Sequence, residues 1–533
     1  MQYLGILRSI SFYLVFVLVI IFSSTGMVSG PFAGEKNAIK HKGESSPNIA
    51  THRVAFGIGP TGGVEEKTEN DLHNQALDHW EEVTKKKCVG VPAEDCEAIP
   101  EKVQNYYDKN PSDEPDKIPG TFDLVKLQEP MVDSSDGTGV RASGLSLADV
   151  DDDGDQDLGV IGGSESGNTF LLYENDGSGQ FGVPSFTASP APGKERADLE
   201  FGDIDGMSGS DMVVTGGFDA SSAIFKTYSN DGMGNYTEFE NPLGSDTGLG
   251  RFPAQKLADL NNDGHLDLVA QGVFNSSNFN SGVFIFHNDG SGSFDTAVQD
   301  AMKDNGEDTG LLWGDLAIAD LNGDGYRDLV GSGYSIDAGF STLERLIVFK
   351  NTGSGTFTKH DEPMKDLNDG TGVISGAKGL ELADFNEDGH PDLLIVGEDS
   401  NTDTRLVIYE NDGTGDFIEK ILDYSDTYGG YAGDVTVADF NQNGSPDFAV
   451  TGRKSSSSDT GQLIVFTNNG TGSFDKRIEP FKKSEGDSNP GLSDGEIISG
   501  DVDGDGDPDL IVSGKDSNYD KRLVVYENQV FTE

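Results

Sequence analysis

Short apolar segments recur in groups of four along residues 120–533, separated by polar, glycine-rich turns. In the first complete group, residues 145–148 alternate between apolar and polar positions, residues 158–161 form an apolar run and residues 170–173 form a third segment. A turn at Gly177 and Gly179 follows, and Phe181 then opens a fourth segment. Alternation bounded by glycine turns is typical of antiparallel strands. The pattern therefore predicts units of four short strands.

An acidic nonapeptide lies between the first two strands of each unit. In the first copy, residues 149–157, carboxylates occupy positions 1, 3, 5 and 9, and Gly154 occupies position 6. The copies begin at residues 149, 203, 259, 320, 384, 439 and 501, so successive copies are 54 to 64 residues apart. Seven four-stranded units with a regular repeat predict an all-β fold, a seven-bladed β-propeller.

The two ends of the repeat region predict how the propeller closes. The seventh unit stops after residues 523–528 and lacks its Gly-x-Phe strand, whereas the region begins with that piece, at Gly120 and Phe122. We therefore expect Phe122 and Leu124 in the same blade as Leu523 and Val525. Such closure removes the exposed sheet edges that a linear array would keep.

The nonapeptides have the composition of calcium loops. Ca²⁺ takes six to eight oxygen ligands, and a glycine after the third ligand allows the sharp turn. The copy at Asp203 has Met207 and Ser208 at positions 5 and 6, so we expect it to bind weakly or not at all. The predicted ligands in the other six are Asp149, Asp151, Asp153, Asp157, Asp259, Asn261, Asp263, Asp267, Asp320, Asn322, Asp324, Asp328, Asp384, Asn386, Asp388, Asp392, Asp439, Asn441, Asn443, Asp447, Asp501, Asp503, Asp505 and Asp509.

These loops, the Tyr-x-Asn-Asp-Gly-x-Gly-x-Phe turns and the Phe201-Gly202-Asp203 junction resemble FG-GAP/VCBS repeats, the family that includes the integrin alpha-subunit propeller and some secreted fungal lectins. The resemblance covers about residues 120–533. It implies Ca²⁺ at the matching Asp and Asn positions, with Met207 and Asn443 as departures from the pattern. Members mostly bind protein partners, glycans or matrix, so the resemblance implies a metal and a fold rather than one ligand.

The first 119 residues predict three further segments. Residues 1–30 carry Arg8 and an apolar run followed by small residues, which is the pattern of a secretory signal peptide, with an uncleaved signal anchor as the alternative. Residues 31–67 lack periodicity and predict a flexible linker. Residues 68–119 predict a small helical unit, in which Cys88 and Cys96 are expected to form a disulfide.

Charge narrows the range of partners. The chain has 93 Asp and Glu against 37 Lys and Arg, a formal net charge of −56. Such a charge disfavours nucleic acid and anionic membrane surfaces. Export to the extracellular space or the cell surface fits the calcium loops, because weak sites need millimolar Ca²⁺. General solubility and a high-salt habitat both remain explanations of the acidic excess.

No catalytic constellation is discernible in the sequence. There is no Ser-His-Asp spacing, nucleophilic cysteine or phosphate-binding glycine loop. We therefore expect a binding or adhesion module rather than an enzyme, with a glycan or an extracellular protein as partner. The alternative is a polysaccharide-active lyase or hydrolase, for which a cluster of His, Arg or Tyr beside axial carboxylates is expected. Strand parity places the variable connections, with Phe279, Phe340 and Tyr519, on the face opposite the acidic loops, where we expect recognition.

Overall fold

The structure, a computed structural model, describes the strands, acidic loops and glycine turns of the repeat region together with a short N-terminal hairpin. The described residues are 54–58, 64–67 and 122–530, with gaps at 133–140, 165–166, 183, 189–196, 217–223, 241–248, 275–279, 295–298, 301–310, 312–313, 337–341, 365–373, 399–403, 422–430, 454–460, 479–491, 493–494 and 516–520. The predicted signal peptide, the helical unit and the Cys88–Cys96 pair lie outside these residues. No helix in the described part of the chain has the length and apolarity to cross a membrane.

The chain divides between Gly120 and Thr121 into two units. In the first unit, β1 (Val54–Ile58) and β2 (Val64–Lys67) pair as an antiparallel hairpin. This hairpin lies within residues 31–67, the segment that the sequence predicts to be a flexible linker. Apolar residues alternate at Val54, Phe56 and Ile58, a strand pattern that the overall polar composition of the segment obscured.

The second unit contains seven blades of four antiparallel strands, in which the first strand is innermost. Blades 2 and 3 are joined further by one pair, Ile224 with Leu249. Blade 1 has β4 (Arg141–Ala148), β5 (Asp157–Ser164), β6 (Gly167–Tyr173) and β7 (Phe186–Ala188), and blade 2 has β8 (Ala197–Gly202), β9 (Asp211–Gly216), β10 (Ile224–Asn230) and β11 (Tyr236–Glu240). Blade 3 has β12 (Leu249–Ala258), β13 (Asp267–Phe274), β14 (Asn280–Phe286) and β15 (Gln299–Asp300), and blade 4 has β16 (Leu316–Ala319), β17 (Asp328–Ile336), β18 (Thr342–Asn351) and β19 (Phe357–Met364). Blade 5 has β20 (Ile374–Ala383), β21 (Asp392–Glu398), β22 (Thr404–Asn411) and β23 (Phe417–Ile421), and blade 6 has β24 (Tyr431–Ala438), β25 (Asp447–Arg453), β26 (Gly461–Asn468) and β27 (Phe474–Ile478). Blade 7 has β28 (Ile497–Gly500), β29 (Asp509–Lys515), β30 (Lys521–Val530) and β3 (Phe122–Val132).

Blade 7 combines the two ends of the repeat region, as the sequence predicts. Strand β3 pairs antiparallel with β30, with Phe122 opposite Val530 and Leu124 opposite Asn528. The side chains of Phe122 and Leu124 are buried in the core between blades 6 and 7. Glu129 of β3 also pairs with Arg522 of β30. The first described strand of the repeat region therefore closes the ring.

Seven separate hydrophobic cores hold the blades together, one at each interface between neighbours. The core between blades 7 and 1, for example, packs Leu158 and Tyr173 against Val502 and Ile511. The other six cores link blades 1 to 2, 2 to 3, 3 to 4, 4 to 5, 5 to 6 and 6 to 7. Each blade thus buries both of its faces, which explains why the second strands, such as Asp211–Gly216, are buried along their whole length.

The fourth strand of blade 1 starts later than predicted. Phe181 forms only an isolated bridge to Asn175, and β7 begins at Phe186. Pro184 lies between the two, and proline has no backbone N–H to donate to a neighbouring strand. The prediction that Phe181 opens the strand is therefore corrected, although its side chain is buried in the core between blades 7 and 1.

Candidate functional site: the acidic loops

The ninth residue of each acidic loop is buried and accepts two backbone hydrogen bonds. In blade 1, Oδ2 of Asp157 accepts the N–H of Val150 at 2.9 Å, and Oδ1 accepts the N–H of Asn175 at 2.8 Å. Asp392 makes the equivalent pair with the N–H groups of Phe385 and Asn411. The ninth carboxylate therefore joins the loop to the third strand of its own blade, even before any metal is considered.

The first, third and ninth carboxylates converge. In blades 1 and 7, one oxygen from each of these residues lies within 4.8 Å of the others. Oδ1 of Asp149, Asp151 and Asp501 is buried and has no hydrogen-bond partner. Buried carboxylate oxygens without a donor are costly, and carboxylate oxygens are the ligands that Ca²⁺ prefers. The residues present therefore fit a hard divalent cation.

The fifth residue supports the turn of the loop. Oδ1 of Asp153 accepts the N–H of Asp155 at 3.0 Å, and Oδ2 of Asp149 accepts the N–H of Gly154 at 3.0 Å. The backbone of Gly154 has φ 97°, a left-handed conformation that explains the glycine at position 6. The fifth carboxylate is exposed, and it does not belong to the converging group in the described loops.

Each acidic loop also connects two neighbouring blades. The second residue of the loop is apolar and buried in the core shared with the next blade, as Val150 is between blades 1 and 2. Its carbonyl oxygen accepts a hydrogen bond from the side-chain amide of an asparagine in that next blade, here Asn230, at 2.7 Å. The other six such bonds run from Asn288 to Ile204, Asn351 to Leu260, Asn411 to Leu321, Asn468 to Phe385, Asn528 to Phe440 and Asn175 to Val502. A cation bound in the loop would therefore brace an interface between blades.

The loop of blade 2 keeps part of this geometry despite its altered sequence. Asp203, Asp205 and Asp211 converge as in blades 1 and 7. The left-handed residue moves from position 6 to Gly209 at position 7, with φ 100°. Oδ2 of Asp205 is already engaged, because it accepts the hydroxyl hydrogen of Ser229 at 2.7 Å. That weak or absent metal binding occurs here stays a prediction.

Burial weakens the acidity of six of the seven ninth carboxylates. It raises the pKa of Asp157 and Asp328 to about 6, that of Asp509 to about 7 and that of Asp447 to about 8, although backbone hydrogen bonds oppose the shift. The charged form of these groups is therefore unfavourable without a compensating positive charge. A bound Ca²⁺ would supply that charge and neutralise the repulsion among the converging carboxylates.

A second cluster lies at the propeller axis, where the innermost strands meet. Lys256 of β12 lies among carboxylates that raise the pKa of its ammonium group, with the largest contribution from Glu200, followed by Glu381, Asp315 and Asp198. Burial raises the pKa of Asp315 to about 7, and Lys256 partly offsets this. The axial cluster, defined as these five residues with Asp434 and Glu496, therefore combines one half-buried cation with an excess of acids.

Three aspartates of the axial cluster bond the innermost strands of neighbouring blades. Oδ2 of Asp198 accepts the N–H of Gln255 at 3.0 Å, which links blade 2 to blade 3. Asp315 and Asp434 make the same bond to Leu380 and Ile497, which links blade 4 to 5 and blade 6 to 7. Burial, followed by the charge of Glu496, raises the pKa of Asp434 well above its usual range. These residues thus have a structural role at alternate interfaces.

Three overlapping segments of the propeller match a known repeat family. Residues 259–331, 320–395 and 384–450 each match the FG-GAP-like repeat. Each match begins at the first aspartate of an acidic loop and includes the loop that follows it. The chain is a seven-bladed propeller, and residues 259–450 of it match FG-GAP-like repeats. No curated protein matches the sequence.

Among solved structures, this FG-GAP-repeat propeller shows only distant similarities. The lectin of Aleuria aurantia matches 73% of this chain and 96% of its own, with 10% identity and a TM-score of 0.35. The NanB sialidase of Streptococcus pneumoniae matches 76% and 70%, with 12% identity and a TM-score of 0.39. The rhamnogalacturonan lyase PL11 of Bacillus licheniformis matches 77% and 75%, with 13% identity and a TM-score of 0.29. At these values, no ligand or activity can be transferred from them to this chain.

The structure adds residues that sequence reasoning missed. From the sequence, the asparagines of the glycine turns, such as Asn175, were assigned only to those turns. In the structure their side chains donate hydrogen bonds to the acidic loop of the neighbouring blade. The apolar second residue of each loop, such as Val150, was likewise not recognised as part of an interface between blades. Both signals were present in the FG-GAP-like repeats, because Asn and the apolar residue recur in all seven. Phe279, Phe340 and Tyr519, predicted to recognise a partner, lie outside the described residues.

Proposed function

We propose that this chain is a secreted, calcium-stabilised propeller that binds a glycan or a protein at the cell surface or in the extracellular space. The observation that carries the calcium part is the group of buried, unpartnered oxygens of Asp149, Asp151 and Asp501 in loops that join neighbouring blades. Calcium would bind in the loops whose carbonyl oxygens accept the hydrogen bond from the asparagine of the next blade, so the metal would stabilise the scaffold. Recognition of a partner would then depend on other loops.

Recognition is proposed on the face opposite the acidic loops. The acidic loops are uniform, with eight residues between the first two strands of blade 1, whereas the connections between second and third strands range from two residues after Ser164 to seven after Gly216. Length variation on a fixed scaffold is typical of binding surfaces. Aromatic side chains in these connections, Phe279, Phe340 and Tyr519, are suited to stacking on sugars or filling a protein pocket.

A glycan array and an extracellular protein display, both in millimolar calcium, test the proposed binding. The triple variant Phe279→Ala, Phe340→Ala, Tyr519→Ala should lose the ligand found for the wild type and keep its melting temperature. A matched control is Ile418→Ala, which alters an exposed apolar residue of a fourth strand. Unchanged binding by the triple variant would place recognition elsewhere.

The axial cluster favours a second candidate, a polysaccharide-active enzyme. A carboxyl group with a pKa near 7, such as that of Asp315, can hold a proton at neutral pH and serve as a general acid. Against this, the basic group that the described side chains place at the axis is Lys256, which is surrounded by acids, whereas His, Arg or Tyr is expected beside a reacting sugar. A polysaccharide degradation assay decides: activity lost in Asp315→Asn but kept in Asp439→Asn would support the enzyme.

A further inference from the structure

Blade 2 exposes an unusual amount of apolar surface. Among the described residues, five large apolar side chains are exposed, and three of them belong to this blade: Met207 at 60%, Met233 at 74% and Phe239 at 46%. The other two, Val125 and Ile418, lie in blades 7 and 5. A large apolar residue alone on a surface needs no explanation, whereas a group of them marks an interaction site.

The segments that carry these three residues adjoin one another on the face of the acidic loops. A Cβ on Gly209 would lie 2.7 Å from the nitrogen of Gly232, and a Cβ on Gly232 would lie 3.0 Å from Oγ of Ser208. Met207 and Met233 are the neighbours of these contacting residues in the sequence. On the side towards blade 3, the ring of Phe239 and the Cβ of Asp205 both border Gly292. We call this surface, formed by Met207, Met233 and Phe239, the blade 2 patch.

The fold does not require apolar residues at these positions. Met207 stands where the other loops carry Asp or Asn, and Met233 stands where the other glycine turns carry Ser or Thr. Phe239 is the third residue after the first aromatic residue of its strand. The same position is occupied by His360 in blade 4 and by Lys420 in blade 5. His360 pairs with Asp416 at 2.8 Å. The residues that depart from the repeat are therefore the same ones that form the patch.

The rim of the blade 2 patch is acidic. Asp203 is exposed in the loop that carries Met207, and Asp231 is exposed in the turn that carries Met233. Oδ2 of Asp152 from blade 1 approaches Gly232. Lys226 is the single basic residue in residues 197–240, and it pairs with Glu238 at 2.7 Å. An apolar centre with an acidic rim complements a ligand that is both apolar and positively charged. Methionine suits such a surface because its flexible side chain adapts to different apolar partners.

We propose that the blade 2 patch is a docking surface for a basic, amphipathic segment of another protein. This goes beyond the binding function proposed above, because the patch lies on the acidic-loop face rather than on the face of the variable connections. A second copy of this chain is a poor occupant, since two chains of net charge −56 would bring acidic rims together. In blade 2, the loop that departs from the calcium motif thereby acquires a different role.

The test uses the full chain in about 1 mM Ca²⁺ and a fluorescent peptide of leucine and lysine in amphipathic helical spacing. Fluorescence anisotropy should show saturable binding to the wild type at physiological salt. The variant Met207→Asn, Met233→Ser, Phe239→Thr should weaken binding about tenfold or more, because it removes the apolar contacts and keeps every charge. The control Ile418→Thr removes an apolar residue of similar exposure, 66%, from blade 5 and should bind as the wild type does.

Three outcomes would overturn the proposal. The first is absence of saturable binding to the wild type, or equal binding by the wild type and the triple variant when both melt at the same temperature. The second is equal binding of an oligolysine without leucine, which would show that net charge alone attracts the peptide. The third is a concentration-dependent dimer of the wild type, seen by sedimentation and lost in the triple variant, which would make a second copy of the chain the occupant.

Discussion

The side-chain amide of Asn175 donates a hydrogen bond to the carbonyl oxygen of Val502 across 2.7 Å, and this bond joins the first blade to the last. The same nitrogen also donates to the carbonyl oxygen of Gln156 in its own blade, at 3.1 Å. Because the six other interfaces have the same bond, the junction between blades 7 and 1 is chemically like every other one. The ring is therefore held by a repeated asparagine as well as by the sheet of blade 7, which combines strands from both ends of the repeat region.

Substitution of Asn175 by alanine should lower the free energy of unfolding by about 1–3 kcal/mol, because the buried carbonyl oxygen of Val502 and the partly buried one of Gln156 lose their donor. Urea unfolding at constant calcium measures this. Asn235→Ala is the matched control, since that exposed amide bonds only the neighbouring Asp231. Equal midpoints for the two variants would show that the bond to Val502 contributes nothing to closure.

Removal of strand β3 should open the ring. Truncation of residues 1–128 deletes most of β3, including Phe122 and Leu124, which are buried in the core between blades 6 and 7. It leaves most of β30 without a partner strand. Truncation of residues 1–120 stops at the boundary between the two units and should leave the propeller intact. Thermal melts of the two shortened chains should therefore differ strongly, and similar melts would argue against closure through β3.

The first and ninth loop residues should respond differently to calcium. Asp392→Ala removes the acceptor of two buried backbone N–H groups, so it should destabilise blade 5 by about 1–3 kcal/mol with or without calcium. Asp384→Ala should instead remove mainly the calcium-dependent increment of its loop. Denaturant unfolding in calcium and in chelator separates the two effects. Equal behaviour of both variants in chelator would refute the separate structural role of Asp392.

The axial cluster predicts a pH dependence. Burial raises the pKa of Asp315 to about 7, above its unfolded value, so the folded protein binds this proton more tightly than the unfolded chain does. Its contribution to stability is therefore largest at low pH and declines as the pH rises from about 4 to about 7. In Asp315→Asn, which cannot ionise, this decline should be absent. The variant should gain about 1–2 kcal/mol relative to the wild type between these limits, because Asp315 is half-buried and solvent screens part of the shift. A constant difference between the two proteins across the pH range would contradict the raised pKa.

Much of the fold was predictable because its signals are local and repeated. The spacing of the acidic loops gives the number of blades, and the missing Gly-x-Phe strand after residue 528 indicates that Phe122 and Leu124 complete blade 7. The sheet topology confirms the number of blades, and the pairing of β3 with β30 confirms the closure. The start of β7 was misjudged because Pro184 follows a good strand signal at Phe181, and the hairpin at Val54–Ile58 was hidden by a polar background.

The relations across blades were not predictable from the sequence in the same way. The bonds from Asn175 to Val502 and from the backbone N–H of Gln255 to Asp198 link residues in different repeats. They depend on which strand edges face each other after closure. The axial environment of Lys256 likewise arises only when the innermost strands of several blades meet. For the acidic loops, the sequence supplied the oxygen ligands, and the structure supplied the convergence of positions 1, 3 and 9.

Differential scanning calorimetry of the full chain, in calcium and after chelator treatment, tests whether the acidic loops are structural calcium sites. Each site at a calcium concentration about 100 times its dissociation constant adds roughly 2.7 kcal/mol of stability, and sites in one cooperative ring add together. If the acidic loops bind calcium in the folded protein, the melting temperature should be markedly higher in calcium and should rise with the calcium concentration. An unchanged melting temperature after chelation would contradict the assignment of the acidic loops as structural calcium sites.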